Sequence, residues 1–114
     1  MVVKMLIPGE LQEFIDEYAG DYYTLKLVLF FAAFPNTRFN SQAIFGLLGS
    51  LTDKRYMEKA LSKLVEYKVT KVDMYNPAPV YRLCDDLSKR SRVIQIGNLD
   101  PIQKHELLRE LGSV

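Results

Sequence analysis

"SLTDKRYMEKALSKLVEYKVTKVDMYNPAPVYRL", residues 50–83, changes its hydrophobic rhythm partway along. Met57, Ala60, Leu61, Leu64 and Val65 follow the three-and-four spacing that gathers side chains on one side of an α-helix. Ser50 or Thr52 is the expected N-cap, because a hydroxyl there satisfies an N–H that the first turn leaves unpaired. Lys54, Arg55, Lys59 and Lys63 are left for the opposite, wet side. After Tyr67 the helical period is lost. "KVTKVDMY" alternates imperfectly at Val69, Val72 and Met74, so its strand register stays open; "YNPAP" supplies a turn, and Val80 and Tyr81 in "VYRL" are β formers. A helix with a basic leading end therefore runs straight into a β-hairpin.

Working towards the N-terminus, "SQAIFGLLG" reads as a short helix capped by Asn40 or Ser41 and ended by Gly49. Its Gly46 offers a neighbouring helix room for close approach. Pro35 in "FPNT" separates it from a helix over about 22–34, whose second half, "LVLFFAAF", is apolar all round and reads as the core. Thr37, Arg38 and Phe39 between these helices fit a very short strand. Leu11, Phe14, Ile15 and Tyr18 form one face of a first helix ended by Gly20. Glu13, Asp16 and Glu17 lie opposite that face and read as solvated carboxylates without chemistry.

Beyond the hairpin, "DDLSKRSRV" fits either a helix with a mixed charged face or a second basic contact through Lys89, Arg90 and Arg92. "DPIQKHELLREL" opens with Asp100 as N-cap and Pro101 in the first helical position, and places Leu107, Leu108 and Leu111 on one stripe near Ile102. His105 flanks that stripe as a surface residue.

The 114 residues suit a single domain able to bury roughly two-thirds of its unfolded surface. Within it, 1–21 forms an N-terminal helix, 22–83 the core and 84–114 a helical extension. Hydrophobic content of 48% and charged content of 25% match a folded globular chain. The longest uncharged apolar run, Leu27 to Phe34, falls well short of the roughly 20 residues a membrane span needs, and no signal-peptide pattern opens the chain. A cytoplasmic protein without a membrane partner is expected. One cysteine, Cys84, and one histidine, His105, cannot complete a disulfide or a zinc site, so no cofactor or metal is expected. There is no phosphate-cradling glycine loop and no nucleophile with a histidine at recognisable spacing, which argues against an enzyme.

Helix, short strand, helix, helix and hairpin is the order of a winged helix-turn-helix domain. The chain resembles winged helix-turn-helix transcription regulators over about residues 22–83, especially in "ALSKLVEYKVTKVDMYNPAPVYRLCDDL". There a leucine-bearing recognition helix exits into a wing, and a "YRL" strand is followed by a polar cap. The family's usual glycine at the helix exit is replaced by Tyr67–Val69, and the wing tip carries little basic charge. The resemblance implies a mainly α fold with a small β-hairpin (α+β), flanked by additional N- and C-terminal helices. It also implies a recognition helix over about 52–67, double-stranded DNA as partner and transcription regulation as role.

Charge gives an independent test. Residues 1–21 carry one basic and five acidic side chains, net −4; residues 22–83 carry nine and four, net +5; residues 84–114 carry five of each. The positive excess thus falls in the segment that resembles a winged helix, although the whole chain is only +1. The major groove is about 12 Å wide and admits one helix, with a hairpin free to touch the adjacent backbone. Ser50, Thr52, Lys54, Arg55 and Tyr56 sit at the leading end of that helix, where N–H groups favour phosphate. Arg55 is the first candidate for a base contact, Lys59 and Lys63 for phosphates, and Lys71, Tyr75, Asn76 and Arg82 for the wing. Tyr56 and Tyr75 fit partial burial equally well.

The terminal apolar stripes either fold back within the subunit or pair across a homodimer. The second is preferred here, with Phe14, Tyr18, Leu107, Leu108 and Leu111 at the contact. Such a dimer would suit a palindromic site with half-sites about 34–36 Å apart. The competing reading is a winged-helix protein-interaction or assembly module that does not bind DNA. The sequence carries no pointer to a small-molecule effector.

Overall fold

Asp21 starts the helix around which the rest of the chain is arranged. A computed structural model describes residues 7–48, 54–74 and 78–112. Helix α2 (Tyr22–Ala33) begins where the Asp21 carboxylate accepts hydrogen bonds from the Thr24 N–H at 2.9 Å and the Thr24 hydroxyl at 2.7 Å. Leu25, Leu27, Val28 and Phe31 point to different sides of α2, yet each is at most 1% exposed. A helix apolar all round needs neighbours all round, and α2 has them in α4 (Lys54–Glu66), α5 (Leu87–Gly97), α6 (Pro101–Gly112) and strand β2 (Pro79–Leu83). The chain is mainly α-helical with one small antiparallel hairpin, as its periodicity predicts.

In α4 the predicted stripe is buried at Met57, Ala60, Leu61 and Leu64, while Val65 sits at its edge. Burying Met57, Leu61 and Leu64 contributes roughly 1.5–3 kcal/mol each before entropy is counted. The helix ends on a backbone device. Lys68 has φ 61°, its N–H donates to the Val65 carbonyl at 3.0 Å, and the Val69 N–H donates to the Leu64 carbonyl at 2.9 Å. This is the paired closure of a Schellman motif, with buried Val69 and Leu64 as its apolar contact. Lysine here takes the left-handed place that glycine occupies at lower cost.

Strand β1 (Thr70–Met74) pairs with β2 from Thr70 opposite Leu83 to Met74 opposite Pro79, which settles the register left open by the sequence. Pro79 begins its strand, where a missing N–H costs little. Of the predicted strand at 37–39, only Phe39 pairs: its N–H donates to the Tyr81 carbonyl at 2.9 Å, and the Tyr81 N–H donates back at 2.7 Å. Helix α3 (Ser41–Leu48) is capped by Asn40, whose side chain accepts from the Ala43 N–H at 2.8 Å.

The flanking helices pack inside the subunit. Helix α1 (Gly9–Tyr18) stops before Ala19, one residue short of the predicted Gly20, and lies on α5 with Leu11, Phe14 and Ile15 buried. Residues 87–97 form a helix whose cap, Asp86, accepts from the Lys89 N–H at 3.0 Å, so the "DDLSKRSRV" alternatives resolve to a helix. Helix α6 opens with the predicted Asp100 cap, to which the Ile102 N–H donates at 2.7 Å. The Gln103 side chain accepts from the Asp100 N–H at 3.1 Å and completes a capping box. Gly46 has open space where a Cβ would be, so among the described residues no helix approaches it. The close approach is at Gly97, where a Cβ would lie 2.5 Å from the Ala32 Cβ.

Candidate nucleic-acid interface

The buried stripe of α4 fixes what its outer face presents. Arg55, Lys59 and Ser62 follow at i, i+4 and i+7 on that face, with Glu66 at its far end, and all four are exposed. Lys54 stands exposed at the leading end. Among the described residues neither Lys54 nor Lys59 makes an ion pair. Ser62 was not among the sequence candidates, although its seven-residue spacing from Arg55 marks it as sharing the face. Ser50, Thr52, Tyr75 and Asn76 lie outside the described residues.

The other two α4 candidates turn towards α2. Lys63 Nζ lies 3.4 Å from the Asp21 carboxylate. Burial of that carboxyl works against its ionisation, but the Thr24 hydrogen bonds and Lys63 outweigh burial and hold it below the ordinary 3.8. The Tyr56 ring stacks on Tyr23 of α2 with centroids 5.3 Å apart and planes 20° apart, while 55% of the residue stays exposed. Of the two readings open for Tyr56, packing against a neighbour is the one this geometry supports.

The hairpin differs from expectation. Lys71 stands directly opposite Arg82, a like-charge pairing that is unfavourable unless carboxylates intervene. They do: Arg82 Nε donates to Asp73 at 3.1 Å, its two terminal nitrogens donate to Asp85 at 2.7 and 3.0 Å, and Lys71 Nζ lies 3.6 Å from Asp85. Hydrogen bonds to Asp85 and Asp73 push the guanidinium well above its ordinary value, and Arg82 holds the Asp85 carboxyl down at about 2. The Arg82 side chain is only 18% exposed. It serves the hairpin as a structural cation, in the place where the sequence reading expects a wing contact.

The cations of 87–97 are likewise engaged inside the subunit. Lys89 Nζ donates to the Tyr67 carbonyl at 2.8 Å, Arg92 pairs with Glu10 at 3.0 Å, and Arg90 donates to the Cys84 carbonyl at 3.3 Å. The Cys84 thiol is buried, and burial pushes its pKa up, which suits packing and not nucleophilic attack.

The residues expected at a dimer contact pack within the single subunit. Phe14 and Leu107 are 6% and 4% exposed within the single subunit, and Tyr18, Leu108 and Leu111 are half-buried against the same core. Tyr18 packs on Phe14 and Tyr67, with ring centroids 4.9 and 5.6 Å away. The stripes are covered because α1 lies on α5 and α6 lies on α2. No helix among the described residues is long and apolar enough to cross a membrane. The chain matches no family model, no curated protein and no solved structure.

Proposed function

We propose that the chain is a winged-helix protein that binds duplex DNA by laying α4 in the major groove, in the service of transcription regulation in the cytoplasm. The observation that carries this reading is the outward face of α4, where Arg55 and Lys59 are exposed together and Lys54 leads the helix. The element order supports it too, with the Phe39–Tyr81 bridge in the place of the short strand before α3. Arg55 reads a base edge, since its fork can engage guanine at two points, while Lys54 and Lys59 meet phosphates. The hairpin frames the helix without contributing free charge.

Titration of a labelled duplex at two salt concentrations tests the reading. Three phosphate or base cations predict a roughly 40-fold loss of affinity between about 50 and 200 mM salt. A protein that ignores duplex even at low salt is not a DNA reader. The protein-interaction reading then takes its place, favoured by the internally paired hairpin and by Leu47 and Met74 at 62% and 80% exposure. A homodimer draws no such support, because its expected contact residues are used within the subunit.

A further inference from the structure

Arginine carries five N–H donors in a fixed planar fork, which suits two-point contact with a carboxylate or a phosphate. Arg38, Arg82 and Arg90 line one cleft of about 590 Å³. They reach it from three parts of the chain: the loop after α2, strand β2 and helix α5. Asn36, Thr37 and Asp85 share its wall, and Asp85 is the acid among them.

Asp85 holds the outer edge of Arg82 fork on fork, while Asp73 holds the inner Nε at 3.1 Å. Arg90 is treated differently. Its donors go to neutral acceptors, the Cys84 carbonyl at 3.3 Å and the Asn36 side-chain oxygen. Among the described residues it has no carboxylate partner. Arg90 therefore reaches the cleft without a counter-charge, and the Asp85 side chain is 69% exposed. An exposed carboxylate clasped by arginine at the mouth of an open cleft occupies the position an incoming oxyanion would take. Letting it go costs little, since water solvates it at once.

We propose that this cleft binds a phosphate-type oxyanion, which replaces Asp85 on Arg82 and is held from the other side by Arg90. A phosphate brings more charge and one more acceptor oxygen than the carboxylate it displaces. The proposal does not depend on the DNA reading. The phosphate belongs either to a small phosphorylated ligand or to a nucleic-acid backbone.

The probe is inorganic pyrophosphate, added to the full chain at constant ionic strength and followed by NMR of backbone amides and arginine Nε–H groups. Saturable shifts at Arg82 and Arg90 are expected. Asp85→Asn should tighten binding several-fold by removing the competing carboxylate, and Arg90→Gln should weaken it about tenfold. Arg90 also ties α5 to Asn36, so circular dichroism accompanies that variant, and the exposed Asp85 variant decides the matter if Arg90→Gln unfolds. The proposal is overturned if neither wild type nor Asp85→Asn shows saturation by about 10 mM. It is equally overturned if Asp85→Asn binds no tighter than wild type, or if a folded Arg90→Gln binds as well. Displacement of pyrophosphate by added duplex would assign the site to a backbone phosphate, and simultaneous binding would assign it to a small ligand. Absence of duplex binding removes the DNA reading and leaves the pyrophosphate result standing.

Discussion

Helix α4 and the hairpin that follows it are neighbours in the chain and both are rich in basic residues, but they use their cations in opposite ways. In the hairpin, Lys71 and Arg82 are each within ion-pair distance of Asp85, and Arg82 also holds Asp73. On α4, Lys63 is drawn off by Asp21, while Lys54 and Lys59 remain unpaired among the described residues. A count of basic side chains therefore overstates the charge available to a partner. What counts is the charge left after the fold has used its share, and here that charge sits on the helix.

Arg82→Ala is the strongest way to break this contrast. It leaves the largely covered Asp73 carboxylate without its cation, while the exposed Asp85 is taken up by water, and should cost about 1–2 kcal/mol of stability, read by urea denaturation. Duplex affinity of the folded fraction should stay the same where the cleft beside Arg82 takes a small ligand, and should fall where it takes a backbone phosphate. Arg55→Ala should do the reverse: stability changes little, while discrimination between a selected site and a scrambled one falls by roughly 1–3 kcal/mol. Lys59→Ala, measured alongside, should weaken all duplexes alike and reduce the salt slope by about one ion.

Asp21→Ala sharpens the comparison by releasing Lys63 to the α4 face. Loss of the cap should cost about 1 kcal/mol, while non-specific duplex affinity rises slightly. The acid limb checks the same residue. Its carboxyl is depressed in the fold, so its contribution is fully present above the ordinary 3.8 and is lost as pH falls through the lower folded value. The wild-type advantage over Asp21→Ala should accordingly shrink below about pH 4. The smallest effect is expected at the helix exit, where Lys68→Gly should stabilise by about 0.5–1 kcal/mol by relieving the left-handed backbone, without altering duplex binding.

These residues also show where the sequence is legible. The stripe Met57, Ala60, Leu61 and Leu64 and the Asp100–Pro101 start are local signals, written within a few residues, and both are present as read. The end of α4 is not signalled locally, because Lys68 takes a conformation that lysine seldom advertises. Gly46 and Gly97 look alike in sequence, and only tertiary packing makes Gly97 the crossing point with Ala32. Lys63 and Asp21 are 42 positions apart, so no motif links them. The stripes of α1 and α6 are legible as apolar faces, but periodicity names a face without naming its cover. Both faces are covered by the chain itself.

The placement of α2 fixes how the molecule comes apart. Since α2 packs against α4, α5, α6 and β2, its amides between Leu25 and Phe31 can meet solvent only when the whole domain opens. Helices α1 and α6 rest chiefly on one neighbour each and can lift singly. Hydrogen exchange should thus run on two clocks, a slow one in α2 set by global unfolding and a faster one at the two ends. A ligand that slows only the fast clock has tied down a terminal helix, whereas one that slows α2 has stabilised the entire fold.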